Sequence, residues 1–275
     1  MKIGNRTVGE GHPTYVIAEI GINHDGDLET ARKLIAAAKE SGADAAKFQT
    51  YITEKRVPKD SPIFGILKQC ELSFDQQRDL AAYAAEIGIC FFSTPFDEES
   101  VDFLMGLKVP AFKIASFDIV NLRLLQRVAK TRTPIIMSTG MADELEVKKA
   151  VDIVKRDGSS VALLHCISSY PTPAKEANLR AIAALKIFDC PVGYSDHTLG
   201  IEVPVLSVAA GAQLLEKHFT LDNNAKGPDH ALSCDPADMK KMVEHIRHVE
   251  EILGTEKIIL HEVEKPILQY RRVTA

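Results

Sequence analysis

Two lysines stand inside apolar runs, Lys47 in Asp44-Ala45-Ala46-Lys47-Phe48 and Lys113 in Ala111-Phe112-Lys113-Ile114. An unpaired ammonium in such a setting costs several kcal/mol, so something anionic must meet each of them. Hydroxyls at the ends of similar runs, those of Ser93, Thr94, Ser116, Ser168 and Ser195, are the partners a phosphate needs once the lysines have neutralised it. The competing reading keeps the charges inside the protein, as ion pairs with Glu19 and Glu216. Two histidines, His197 and His218, close two successive apolar runs. Imidazole nitrogen suits first-row transition ions, and no cysteine in register or H-E-x-x-H accompanies the pair. An open divalent-metal site is therefore expected in place of a closed structural zinc site. The bland alternative is that each imidazole merely bonds a backbone carbonyl. His165 ends a strongly apolar run and reads as a core residue or as support behind the site, and Gly227-Pro228-Asp229-His230 reads on spacing alone as a Gly-Pro turn.

The elements that must carry these groups alternate. Segments 14–19, 44–48, 89–93, 111–114, 134–138, 161–165, 192–194 and 213–218 read as short, buried strands. Helical spacing of apolar residues follows them at 31–40, 74–87, from about Asp97, and at 122–130, 144–156, 179–187, 201–210 and 236–253. Eight alternations in this length predict an α/β fold of the (β/α)8 TIM-barrel type, one domain over residues 1–275, with 1–13 as an N-terminal extension before the first barrel strand. A doubly wound sheet would need a Gly-rich phosphate turn after its first strand, and Glu19-Ile20-Gly21-Ile22-Asn23-His24 lacks the G-x-G-x-x-G pattern. In a barrel the strand ends converge on one mouth, so Glu19, Lys47, Gln49, Ser93, Thr94, Lys113, Ser116, Asp118, His165, Ser168, Tyr170, Ser195, Asp196, His197, Glu216, Lys217 and His218 are expected to gather there. Residues 51–72 form the longest irregular segment, of a length that is usually functional.

Composition narrows the class of function. With 45% hydrophobic and 26% charged residues, the 275-residue chain has ordinary globular composition, which excludes disorder and a disulfide-stapled miniprotein. Lys plus Arg total 33 against 38 Asp plus Glu, a net charge of -5 that gives no bulk attraction to nucleic acid or anionic membrane. The 5 cysteines are scattered without C-x-x-C spacing and read as reduced thiols. No apolar run approaches the roughly 20 residues needed to span a bilayer, and the start lacks a secretory signal core, so a cytoplasmic location is the expectation.

An ordered set of motifs adds to this reading: 18–27 (AEIGINHDGD), 47–50 (KFQT), 93–96 (STPF), 113–116 (KIAS), 165–166 (HC), 170–173 (YPTP), 193–198 (GYSDHT), 216–220 (EKHFT) and 226–230 (KGPDH). Together they resemble the sialic acid synthase (N-acetylneuraminate synthase) family over nearly the whole chain. The resemblance implies a transferase that condenses phosphoenolpyruvate with an open-chain N-acetylated hexosamine, typically N-acetylmannosamine, to a sialic-acid-like 2-keto acid and phosphate. It further implies Mn²⁺, with Mg²⁺ or Co²⁺ as substitutes, on His197 and His218. Phosphoenolpyruvate would sit on Lys47, Thr94, Lys113, Ser116, Ser168 and Ser195, the sugar on Gln49, Asp118, Tyr170 and Asp229, and Glu19 would be the general acid/base carboxylate. Serine at 168 and aspartate at 118 depart from the asparagine and the longer glutamate that other members carry. Members usually continue into a small antifreeze-like domain that lends the partner subunit an arginine, whereas this sequence ends at Ala275. The expectation is thus a barrel without that domain, working as a homodimer or with a separate antifreeze-like chain. Alternatives are a related nonulosonate or octulosonate-type synthase, a class II metal-dependent aldolase, or a non-catalytic sugar-binding subunit of a polysaccharide pathway.

Overall fold

Burial on both faces distinguishes the strands of this chain from its helices, which bury one stripe each. The computed structural model describes residues 1–272. It opens on a small antiparallel hairpin, β1 (Lys2–Ile3) and β2 (Arg6–Thr7). The barrel strands follow: β3 (Tyr15–Gly21), β4 (Ala45–Thr50), β5 (Cys90–Pro95), β6 (Phe112–Ile114), β7 (Ile135–Ser138), β8 (Val161–Cys166), β9 (Val192–Asp196) and β10 (Leu214–His218). All pair in parallel and close in the order β10-β3-β4-β5-β6-β7-β8-β9. This is the expected (β/α)8 TIM barrel. Every residue of β3 and β8 is buried, as parallel strands covered on both sides require.

The helices are α1 (Leu28–Glu40), α2 (Thr53–Arg56), α3 (Phe64–Cys70), α4 (Phe74–Ile87), α5 (Glu98–Gly106), α6 (Leu122–Ala129), α7 (Glu144–Arg156), α8 (Ala181–Ala184), α9 (Glu202–Ala209) and α10 (Pro236–Leu253). Asp27, Ser73, Asp97, Asn121, Asp143 and Asp235 cap six of them by accepting from the third backbone N–H, which explains why those helices start where they do. On α1 the residues Ala31, Leu34, Ile35 and Ala38 form the stripe against the barrel, and truncating a fully buried leucine such as Leu34 to alanine would cost about 2–5 kcal/mol. No helix among the described residues is long and apolar enough to cross a membrane.

Three parts differ from the sequence expectation. The extension over 1–13 holds the β1–β2 hairpin, whose strands are too short to show periodicity, and Arg6 ties it to Asp44 at 2.6 Å. The segment 51–72 is not irregular throughout but carries α2 and α3, each shorter than the window a helical period needs. Ile22, Tyr51, Leu67 and Cys70 form a small core of their own beneath it, with the Tyr51 hydroxyl donating to the Leu67 carbonyl at 2.9 Å. The helix expected over 179–187 is reduced to the single turn of α8, continued by a tighter 3-10 turn at Leu185–Phe188.

Candidate active site

Glu19 is placed by an irregularity in its strand. The β3–β4 register runs Glu19 opposite Lys47 and then skips to Gly21 opposite Phe48, a bulge immediately after Glu19. Gly21 sits at φ 55, and a Cβ there would stand 3.2 Å from Glu19 Oε1 and 3.3 Å from Gln49 Nε2, so the position suits glycine. Across the ladder β10 sets His218 beside Glu19. The strand ends thereby bring Glu19, Lys47, Gln49, Thr94, Lys113, Ser116, Tyr170, Ser195, His197, His218 and Asp229 to one cavity of about 410 Å³, a size suited to small molecules.

The lysines are met by the barrel's own carboxylates. Lys47 Nζ lies 2.6 Å from Glu19 Oε2 and 3.7 Å from Glu216, and Lys113 Nζ lies 3.6 Å from Glu216. Hydroxyls add to this: Lys47 donates to Thr94 Oγ1 at 3.1 Å, Lys113 to Ser138 Oγ at 2.7 Å, and Ser195 to Glu216 Oε1 at 3.0 Å. Two ammoniums and two carboxylates thus share one buried ring, so the lysines need no outside anion to be tolerated. The two carboxyls differ. Burial and the neighbouring Glu216 charge push Glu19 up from the usual carboxylate range against the pull of Lys47. Burial also opposes ionisation of Glu216, but Lys113 and Lys47 outweigh it and hold that carboxyl down at about 2. Burial lowers the Lys113 ammonium as well.

The imidazoles of His197 and His218 lie 5.4 Å apart by ring centroid, with the Tyr170 ring against His197 at 4.1 Å. Nδ1 of His197 lies 2.9 Å from the Ile167 carbonyl, to which it donates, leaving Nε2 with its lone pair. His218 is held neutral by burial, its pKa lowered despite the pull of Asp229, and its buried Nδ1 has no hydrogen-bond partner. A buried imidazole nitrogen left without a partner, beside a second imidazole fixed by a backbone carbonyl, is a donor set that fits a transition ion. It is half a shell: among the described residues no group of three His, Cys, Asp or Glu side chains is arranged to hold an ion, so the remaining ligands would have to be substrate oxygens and water.

Behind Ser116 the hydroxyls pack closely on Gly140. The Gly140 backbone N–H donates to Ser116 Oγ at 3.0 Å, and a Cβ at Gly140 would stand 2.8 Å from that oxygen and 2.4 Å from Ser168 Oγ. The two hydroxyls can approach only because residue 140 has no side chain.

Not every expected residue reaches the cavity. Asp196 and Lys217, also expected at the mouth, are fully buried and pair with each other at 2.6 Å instead of lining it. Ser93 points the other way, its Oγ 2.7 Å from Thr50 Oγ1, because successive strand residues alternate and Thr94 takes the inward position. Ser168 stands just behind the lining, next to Cys166. Asp118 is on the rim, where it accepts from Asn121 Nδ2 at 2.9 Å and where burial raises its pKa. Asp229 belongs to the Gly-Pro turn and puts Oδ2 3.8 Å from His218 Nδ1. His165 is support, as expected, with Nε2 2.9 Å from the Ala177 carbonyl. Residues the sequence did not single out are Ser138, Gly140, Cys166 and Arg56. Ser138 ends a strand and was open to the same rule as the others, whereas Arg56 lies in a stretch without a pattern.

The NeuB family sequence profile matches residues 34–258. An uncharacterised protein of Methanocaldococcus jannaschii is 53% identical over 99% of this chain and 82% of its own length. The N,N'-diacetyllegionaminic acid synthase of Legionella pneumophila is 45% identical over 92% of this chain and 76% of its own. In three dimensions the chain superimposes on the crystal structure of N-acetylneuraminic acid (sialic acid) synthetase from Leptospira borgpetersenii, in complex with citrate, with a TM-score of 0.96 at 38% identity, covering 98% of this chain and 95% of the other. The chain belongs to the NeuB family.

Proposed function

We propose that this chain condenses phosphoenolpyruvate with an open-chain acylated hexosamine, N-acetylmannosamine or a close relative, to a nonulosonic 2-keto acid and phosphate. The observation that carries the reading is the joining, in one cavity, of the Lys47–Lys113 ring and the Ser116 hydroxyl with the paired imidazoles. The first two suit a phosphate ester and the third an aldehyde oxygen.

The reaction joins C3 of phosphoenolpyruvate to the aldehyde carbon, whose oxygen takes up a proton. Positive character at C2 is quenched by water, and the C2–O bond to phosphate then breaks, so that water supplies the oxygen left on C2. Lys47 and Lys113 would hold the phosphate through the whole sequence with Ser116, Ser168, Ser195 and Thr94, since charge-assisted bonds to phosphate are the strong ones. Glu19 is the carboxyl suited to the proton traffic: burial raises its pKa while Glu216 is held low, so of the two it takes a proton more readily, and its charge, when ionised, stabilises a cationic C2. Glu216, held ionised, supplies a counter-charge to both lysines in their buried ring. Gln49, Tyr170, Asp118 and Asp229 would contact the sugar. A divalent ion of the Mn²⁺ type on His197 and His218 would supply Lewis-acid polarisation of the aldehyde oxygen.

The test is phosphate release from phosphoenolpyruvate with added Mn²⁺, measured over a panel of aldoses and N-acyl hexosamines. Release that depends on an N-acyl hexosamine supports the reading. Release with none of them, or reversible cleavage without phosphate, removes it.

A further inference from the structure

Among the described residues Arg56 is the one guanidinium lining the cavity, and the chemistry proposed above leaves it without a task. It closes α2, whose start is pinned by Glu71 Oε2 accepting from the Thr53 backbone N–H at 2.9 Å, and by Asp97 Oδ2 accepting from the Ile52 N–H at 3.0 Å. Its planar group rests on the Phe96 ring at 3.6 Å and beside Tyr51 at 4.6 Å, which fixes its plane. One terminal nitrogen donates to Gln49 Oε1 at 3.0 Å, and Gln49 Nε2 in turn donates to Glu19 Oε1 at 3.1 Å. Among the described residues no carboxylate oxygen lies within salt-bridge reach of Arg56, so most of its five N–H donors are free of protein partners. The wall beside it is apolar. Ile63 and Ile66 line the same cavity and are 48% and 44% exposed, apolar surface that water covers unless a ligand does.

We propose that Arg56 reads the acylamido group of the acceptor sugar, its fork of N–H donors taking the acyl carbonyl oxygen while the acyl methyl lies against Ile63, Ile66 and Phe96. The proposal rests on the synthase reading for the identity of the acceptor. A donor fork next to apolar surface matches a group that is polar at one end and a methyl at the other. A phosphate on the acceptor fits less well, because the carboxylates of Asp118, Asp229 and Glu19 all act on the Arg56 charge and would repel a dianion there. The plain structural role, Arg56 as a prop for the Gln49 amide, predicts a loss that does not depend on the acyl group.

Calorimetric affinities for N-acetylmannosaminitol and mannitol, reduced open-chain probes that cannot react, separate these readings in the Mn²⁺-supplied protein. The wild type should bind the acylated alditol about 10- to 150-fold more tightly than mannitol, the range for a hydrogen bond from a charged donor. R56M should abolish that preference, the acylated alditol losing about 10- to 150-fold more affinity than mannitol does. R56K should retain only part of it, because an ammonium offers charge without the planar fork. R56K alone decides the matter if the methionine variant is unstable, and a full preference in it would overturn the proposal. So would equal wild-type affinity for the two alditols, a preference that survives in R56M, or an equal loss for both probes. The synthase reading fails on a different readout: phosphate release absent with every aldose would remove the reaction without touching the alditol preference.

Discussion

Lys217 Nζ and Asp196 Oδ2 meet at 2.6 Å with neither side chain exposed, each one residue before a histidine of the site. They are register partners on β9 and β10. Lys217 also donates to the Thr198 carbonyl, and Thr198 Oγ1 donates to Asp196 Oδ1 at 2.9 Å. The pair bolts together the two strand ends that present His197 and His218. Removing one partner leaves a buried charge unpaired, so Lys217→Met should lose about 3–5 kcal/mol in urea unfolding. A double variant, Lys217→Met with Asp196→Leu, should recover part of it. Additive losses would show that the two residues act independently.

His197→Ala and His218→Ala should each weaken Mn²⁺ binding and abolish turnover, because the two imidazoles are the strong transition-metal donors of the cavity. Titration of Mn²⁺ by electron paramagnetic resonance reads the first effect without needing activity. Unaltered Mn²⁺ affinity in both variants would leave the imidazoles with backbone contacts only, the alternative that the His197–Ile167 bond already half realises.

The barrel was legible because its strands are short, apolar and separated by helical stretches, and because the rule that strand ends build the site needs only the strand ends. Ser93 shows where that rule stops: adjacent residues point to opposite faces, and the strand residues alone do not say which of Ser93 and Thr94 turns inward. Lys47 and Lys113 were correctly singled out as buried charges, but whether a ligand or a carboxylate meets them depends on side-chain reach across the barrel, which no one-dimensional pattern carries. Arg56 was missed for another reason. It sits on a four-residue helix, too short for periodicity, and its meaning comes from Phe96 on a different strand–helix connection.

Gly140→Ala tests the proposed contact of Ser116 with phosphate through a residue with no functional group of its own. A methyl 2.4 Å from Ser168 Oγ and 2.8 Å from Ser116 Oγ must displace both hydroxyls. The phosphoenolpyruvate KM should rise by roughly 10-fold or more, the worth of one charge-assisted hydrogen bond, with the sugar KM little changed. A normal KM for phosphoenolpyruvate would move the phosphate elsewhere in the cavity.

His24 supplies a pH dependence separate from the site's ion pairs. Burial pushes its pKa down to about 4, and the neutral ring accepts the Gly26 N–H on Nδ1 at 3.0 Å. An unfolded histidine titrates near 6.5, so between about pH 6.5 and 4 the unfolded chain binds the proton that the fold refuses, and stability falls as pH is lowered through that window. The shift is worth about 3 kcal/mol when complete. Comparing urea midpoints of wild type and His24→Gln from pH 7 to 4 isolates the effect, since glutamine can accept the same N–H and does not titrate. The wild type should lose more stability than the variant over that interval, and parallel curves would mean that His24 is protonated within the fold.

Glu19→Gln asks whether the raised carboxyl does chemistry or only neutralises Lys47. The amide keeps size and hydrogen bonding to Gln49 but removes both the titrating proton and the charge 2.6 Å from Lys47. If Glu19 moves protons, kcat should fall by about 100-fold or more, the lower end of what a positioned acid or base contributes, while the phosphoenolpyruvate KM changes little. If Glu19 is only the counter-charge of Lys47, removing it leaves that lysine more attractive to phosphate, and the KM should fall while kcat is kept. The two outcomes move different kinetic constants, so a single steady-state comparison of wild type and Glu19→Gln, with phosphoenolpyruvate varied at saturating sugar, assigns the role.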